Sequence, residues 1–226
     1  VHPANVHIAE RAIKIIGLDI GGVDIVALDV TTPLPENGGG IVEINAAPGF
    51  RMHLQPTEGL ARNVAEPVID MLYPPGKSCT IPIIAVTGTN GKTTTARLID
   101  HIFKLAGNTV GMCTTDGVYI KNRLIYRGDM TGPMSHKMVL TDPTVDLAIL
   151  ECARGGILRA GLGFKNCNVG VVTNVSEDHL GLRGIHTVDQ LARVKSIIPE
   201  IVKQDGVAVL NADDSLVHAM SEKTKG

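Results

Sequence analysis

The spacing of apolar positions divides the chain into two stretches of different build. In the first, residues 5–16 (NVHIAERAIKII) set Ile8, Ala12, Ile15 and Ile16 on one helical stripe that stops at Gly17. GGVDIVALDVTTPL then alternates as a strand, ENGGG turns, and GIVEINAAPG returns as a second strand. The pattern predicts an antiparallel hairpin carrying acids. Residues 56–73 read as a helix interrupted near Pro67, and PPGKS at 74–78 reads as a linker.

From residue 81 the pattern changes. Short apolar runs rich in Val and Ile (IPIIAVTG, TVGMCTT, VDLAILEC, NVGVVTNV and GVAVLN) alternate with helical segments, and polar residues or glycines follow each run. Continuous rather than alternating apolar runs belong to strands covered on both faces, so the predicted class is α/β: a mostly parallel sheet with flanking helices. Ligands of such sheets gather at the carboxyl ends of the strands, where this sequence places its unusual polar residues.

Composition narrows the function. The chain of 226 residues is 44% hydrophobic and 19% charged with a formal charge of −2, which gives no electrostatic reason to expect nucleic acid. No Trp, three Tyr and three Phe leave little to stack single strands on. Cys79, Cys113, Cys152 and Cys167 are widely spaced without a C-x-x-C pair, as expected of reduced thiols in a cytoplasmic protein. No signal peptide and no apolar run long enough to span a bilayer is visible, so no membrane partner is expected. The chain lacks an initiator Met, opens inside a helical pattern and stops at SEKTKG, so both ends read as cut from something longer.

The candidate chemistry begins at IIAVTGTNGKTTTARLID, residues 83–100. The G-x-x-x-x-G-K-[ST] spelling fails, because Val86 stands where the first glycine would be. Strand, loop and helix nonetheless fall in the required order. Gly88, Thr89, Asn90 and Gly91 form a loop whose N–H groups can face one centre, and the helix from Lys92 to Ala106 points its positive end there. Lys92 adds a full charge against terminal phosphates, and Thr93 or Thr94 can offer a hydroxyl to Mg²⁺. The bland alternative is a glycine-rich turn with a surface lysine.

Downstream, LAILECARGGIL puts Glu151 at the end of a buried strand, where a carboxylate is costly unless it faces a cation. It reads as a Mg²⁺ ligand, or else as a helix cap or a partner of Arg154. VVTNVSEDHLGL supplies Asn174, Asp178 and His179 after the next strand, and DQLARVKSIIPE carries Lys195 on a helix. A lone structural His and an ordinary surface lysine are the alternatives there. VLNADD at 209–214 closes the set without an assigned role for Asn211 or Asp213.

TGTNGKTT resembles the phosphate loop of the Mur ligase superfamily, ATP-dependent amide ligases in which the first glycine is not required. TNVSEDHL resembles the family's strand-end motif, which implies that Asn174 and Asp178 border the nucleotide and that His179 binds a second metal ion. Gly181 departs from the Asp that the family carries there. The resemblance also implies that Lys195 is carbamylated, which needs a neutral amine and hence a pKa depressed from ~10.4. In the first stretch, Glu43 and Asn45 alternate by two and Asp24 can sit across from them, as a Mg²⁺ site or as a solvated strand face. EINAAPG resembles the tail of an ATP-grasp ligase, whose Asp, Glu and Asn hold magnesium on ATP.

The order implied is residues 1–76 as the C-terminal part of an ATP-grasp domain and 77–226 as a truncated Mur ligase central domain. EINAAPGFRMHLQPTEG, GDMTGP and LECARGGILRAGLGF together resemble the cyanophycin synthetase family over essentially the whole chain. That resemblance implies ATP, Asp, Arg and an acidic polypeptide primer as substrates, two amide-forming activities, and a homo-oligomer when full length. Arg51 and His53 could meet the acidic polymer on charge grounds. Another Mur-type ligase and a non-catalytic ATP-binding module are the competing readings. The 226-residue piece is expected to turn over poorly by itself.

Overall fold

A computed structural model describes residues 1–76, 79–177, 180–181 and 184–226. The chain forms two compact units, Val1–Cys79 and Thr80–Gly226.

In the first unit, α1 (Pro3–Ile16) starts with a proline in its first turn and ends at Gly17, whose φ of +82° and N–H bonds to Ile13 and Lys14 close the helix. Asn5 is buried and ties α1 to the following loop, accepting from Leu34 N at 2.8 Å and donating to Thr32 O at 2.8 Å. β1 (Gly22–Val26) and β2 (Gly40–Asn45) pair antiparallel with a bulge between Asp24 and Ile25, and α2 (Leu34–Asn37) lies between them in sequence. The strands are shorter than the alternating pattern predicts, because Asp29 draws Thr31 and Thr32 into a turn that ends extended structure. α3 (Arg51–Leu54) and α4 (Ala65–Leu72) follow. The helix expected over 56–73 forms only in its second half; Pro67 sits in its first turn, where no N–H is needed.

The second unit is a seven-stranded sheet between helices. Its elements are β3 (Ile83–Thr87), α5 (Lys92–Leu105), β4 (Val110–Cys113), β5 (Gly117–Ile120), β6 (Arg123–Arg127), α6 (Pro133–Leu140) and β7 (Leu147–Glu151). After them come α7 (Arg154–Ala160), β8 (Cys167–Val172), α8 (Val188–Lys195), α9 (Ile197–Glu200), β9 (Val202–Leu210) and α10 (Ser215–His218), then a 3₁₀ turn at Ala219–Lys223. The strand order is β6-β5-β4-β7-β3-β8-β9, with β4, β7, β3, β8 and β9 parallel. All five runs that read as buried strands are these five strands. Alternate residues of β3 serve opposite faces. Ile84 and Val86 pack with Ala96, Ile99 and Phe103 of α5, while Ala85 packs with Ile198 of α9. A strand sealed on both sides has no polar face to show, which is why its sequence does not alternate.

The antiparallel β5–β6 hairpin is the element the sequence pattern misses. Its two-residue turn is Lys121-Asn122, both at positive φ (48° and 67°), a I′-type turn without the usual glycine. β6 is exposed throughout and carries a bulge and an arginine at each end, features that keep a sheet edge from pairing with another chain.

From β3 the chain runs first to β4 and back to β7 on one side, then to β8 and β9 on the other. The carboxyl end of β3 is therefore a topological switch point, where loops part and leave a crevice.

Candidate active site

The loop after β3 fills that crevice. Gly88 has φ of +146°, and a Cβ there would come within 1.9 Å of Thr173 Oγ1, so only glycine lets the loop lie against the segment after β8. Thr89 N donates to Asn174 O at 2.9 Å and Asn90 N to Asn174 Oδ1 at 2.9 Å. Asn174 Nδ2 returns a bond to Asn90 O at 3.1 Å, and Thr173 Oγ1 donates to the same carbonyl at 2.6 Å. Thr89 Oγ1 and Ser176 exchange two further bonds, at 3.3 and 3.1 Å. The loop is pinned before any ligand arrives, a preorganisation that spares ordering entropy on binding. Gly91, at φ +82°, caps α5 and turns the helix N-terminus toward the loop.

Lys92 Nζ folds back to donate to Thr89 O at 2.8 Å. From the next position Thr93 Oγ1 donates to Glu151 Oε2 at 2.9 Å and lies 3.1 Å from Thr115 Oγ1. Thr94 is exposed on the outer side of the same turn. Glu151, the last residue of β7, is fully buried, and its Oε1 has no hydrogen-bond partner among the described residues. Burial pushes the Glu151 carboxyl above its ordinary range, against the Thr93 hydrogen bond and the Lys92 charge that favour the carboxylate; Asp129 adds to the upward push. A buried carboxylate with one oxygen unpartnered among the described residues, beside the Thr93 hydroxyl, offers oxygen donors suited to a hard divalent cation.

Lys195 is buried on α8, and its Nζ donates to Gly88 O at 2.7 Å. The sequence alternative of a surface lysine is overturned: this side chain is buried beneath the loop that follows β3. Asp178 and His179 lie outside the described residues. Of the residues singled out in this unit, the structure thus brings together Gly88 to Thr93, Glu151, Asn174 and Lys195. Arg154 starts α7, directly after the Glu151 strand end.

Asp214, Thr115, Asp129 and His136, which no motif in the sequence singles out, also shape the site, as does Asn211. Asp214 Oδ2 accepts from Val175 N at 2.6 Å while its Oδ1 caps α10, and Asn211 Nδ2 donates to Thr173 O at 2.9 Å, so the NADD segment steadies the strand-end loop. Asp213 is exposed and its N–H bonds Asn211 Oδ1. Thr115 and Asp129 stand near Glu151, and His136 is buried behind it. No spacing flags these residues, because each reaches the site from a loop or helix whose position only the fold supplies. The buried thiols Cys113 and Cys167 are pushed up to about 12 by desolvation, and Cys152 is raised as well, which leaves them protonated core residues. Cys79 is exposed.

In the first unit, Asp24 pairs directly opposite Glu43, and Asn45 Nδ2 donates to Asp24 Oδ2 at 3.1 Å. Both carboxylates are exposed. Like charges facing each other across a ladder destabilise it unless a cation lies between them. Arg51 and His53 are exposed on α3. Among the described residues no group of three or more His, Cys, Asp or Glu is arranged around a common metal position, and no helix is long and apolar enough to cross a membrane.

Comparison with known proteins gives a consistent picture. Residues 86–226 match the Mur ligase middle domain. The chain is 60% identical over its full length to cyanophycin synthetase of Geminocystis herdmanii and 59% identical to that of Crocosphaera subtropica, covering 26% of each. It therefore spans about a quarter of the length of the curated relatives it matches. Among solved structures, UDP-N-acetylmuramoyl-L-alanyl-D-glutamate–2,6-diaminopimelate ligase is similar with a TM-score of 0.55 and 28% identity, over 64% of this chain and 29% of that one.

Proposed function

Because the chain belongs to the Mur ligase family through its middle domain, we propose that residues 77–226 are the ATP-binding centre of an ADP-forming amide ligase. In this reading residues 1–76 are the C-terminal part of an ATP-grasp domain, and the whole enzyme is of the cyanophycin synthetase type. The observation that carries the proposal is the buried Glu151 carboxylate held 2.9 Å from Thr93, the second residue of the helix that follows the phosphate loop. Burying that carboxylate without a full set of partners lowers stability, and a strand end is an odd place to keep it unless it serves a cation.

Gly88 to Gly91 offer N–H groups to the phosphates of ATP, and Lys92 exchanges its bond to Thr89 O for the terminal phosphates. Asn174 holds the loop open in that shape. Thr93 and Glu151 would hold one Mg²⁺, and His179 a second metal ion, as the resemblance implies. A Mg²⁺ bound there would supply charge neutralisation for the transferring phosphoryl group. An acceptor carboxylate oxygen attacks the γ-phosphorus, the bond to the bridging oxygen breaks, and ADP leaves. An amine then attacks the acyl phosphate, its C–O bond breaks to release phosphate, and an amide forms. Lys195 braces the loop through Gly88 O as an ammonium, or faces the metal once carbamylated.

By the same reading Asp24, Glu43 and Asn45 hold Mg²⁺ in the ATP-grasp half, which adds aspartate to the backbone carboxylate of an acidic primer. The Mur half adds arginine to aspartate side chains. The test uses the full-length protein that contains this chain: ADP release is measured with Asp alone, Arg alone and both, with a short primer. Amino-acid-dependent ADP release that Lys92→Ala abolishes for arginine supports the proposal. No amino-acid-dependent release rejects it.

A further inference from the structure

The carbonyl of Glu151 has an unusual partner. The register of β4 on β7 ends at Cys113 opposite Leu150, so the Glu151 peptide oxygen lies past the last rung on that side. It is buried, and a buried carbonyl needs a donor. The donor is His136, fully buried on α6, with Nε2 3.3 Å from Glu151 O. At the other end of the ring, Gly163 N donates to Nδ1 at 3.1 Å. An N–H pointing at Nδ1 requires that nitrogen to be bare, so the ring proton sits on Nε2 and faces Glu151. Phe164 holds the ring plane, with centroids 5.2 Å apart. The N–H of that same peptide is held from the other side, Cys152 N donating to Val86 O at 2.8 Å, and the next carbonyl, Cys152 O, accepts from Thr87 Oγ1 at 2.8 Å.

We propose that His136 is a positioning residue for Glu151: its Nε2–H fixes the last peptide of β7 so that the carboxylate is aimed at Thr93, which leaves Oε1 available to a metal ion that would bind there. The inference rests on the proposed role of Glu151. A packing residue at this place would need no particular tautomer. The two-ended bonding of the ring between Gly163 and Glu151 is what assigns it a direction.

Two substitutions separate the two ends. In His136→Asn the amide oxygen takes the place of Nδ1 and keeps the Gly163 bond, but nothing reaches Glu151. In His136→Gln the amide nitrogen takes the place of Nε2 and keeps the Glu151 bond. ADP binding to the 226-residue chain is measured by calorimetry while Mg²⁺ is titrated. The expected result is a Mg²⁺ midpoint raised about tenfold in the Asn variant, the scale for losing a group that orients a metal ligand, with the Gln variant close to wild type. Equal midpoints for Asn, Gln and wild type, or a larger shift for Gln than for Asn, overturn the inference. Glu151→Gln is the control. If its midpoint is that of wild type, the metal role of Glu151 fails and the inference falls with it. If Glu151→Gln shifts and His136→Asn does not, the inference alone fails. Should the Asn variant not fold, ¹⁵N-edited imidazole spectra of the wild type decide, since a proton found on Nδ1 of His136 refutes the arrangement.

Discussion

Replacing Glu151 by glutamine is expected to make the ligand-free protein more stable while blunting its response to magnesium. The perturbation is nearly isosteric and keeps the acceptor for Thr93 Oγ1, now 2.9 Å from Glu151 Oε2. What it removes is the charge on a group with a buried oxygen that no described residue bonds, a defect worth about 1–3 kcal/mol. The amide nitrogen inherits part of that defect, which leaves a net gain of about 1 kcal/mol and a rise in Tm of roughly 2–4 °C for a chain of this size. The sign with pH follows from the raised carboxyl. A carboxyl whose folded pKa lies above its unfolded value is at no disadvantage below the unfolded value, and loses stability as pH rises through the folded one. The wild type therefore lags the variant at neutral pH, and the gap closes as pH falls through the raised Glu151 value toward the ordinary value of 4.5. His136, lowered to about 4 by burial, loses stability in both proteins over the acid window and cancels in the difference. Added Mg²⁺ and ADP at a hundredfold the Kd stabilise the wild type by about 2.7 kcal/mol. Tenfold weaker binding in the variant removes about 1.4 kcal/mol of that, so its advantage disappears. Calorimetric melting at pH 7 and pH 5, in EDTA and in Mg²⁺ with ADP, reads all four conditions. A variant less stable than wild type in EDTA at pH 7, or one that gains as much from Mg²⁺ and ADP, refutes the reasoning.

Three further outcomes follow from the same contacts. Gly88→Ala places a Cβ 1.9 Å from Thr173 Oγ1 and should destabilise by about 1–3 kcal/mol; adding Thr173→Ala should recover part of the loss in a urea titration. Lys195→Met removes the bond to Gly88 O, and hydrogen exchange should then speed up at Thr89 and Asn90, whereas unchanged protection would show that Lys195 does not brace the loop. Asp24→Asn separates the facing carboxylates of the hairpin; Mg²⁺ should raise the melting temperature of the wild-type first unit and have a smaller effect on the variant, with equal effects counting against a cation site there.

The parts of this protein legible in sequence are those fixed by local chemistry. Five apolar runs announced five parallel strands: β3, β4 and β7 are sealed on both faces, whereas the edge strand β9 leaves Val207 and Val209 exposed and is marked by its Val-rich run alone. The glycine loop announced itself because Gly88 and Gly91 occupy conformations that other residues avoid. Glu151 stood out because a carboxylate closing an apolar run breaks the pattern. The rest depends on distance in space. His136 lies fifteen residues before the carbonyl it holds, and Asp214 meets Val175 from thirty-nine residues away. The β5–β6 hairpin went unread because its turn, Lys121-Asn122, lacks glycine and its outer strand buries nothing. Lys195 could not be told from a surface lysine until α8 was seen to bring it under Gly88.

The central claim is that the ends of β3, β7 and β8 form one pocket for a nucleotide and its metal ion. Equilibrium binding of ADP to the 226-residue chain, in Mg²⁺ and in EDTA, tests it most directly. Saturable binding that tightens with Mg²⁺ and is lost in Lys92→Ala is the predicted result. ADP binding of equal strength with and without Mg²⁺, or binding that survives Lys92→Ala, would contradict it.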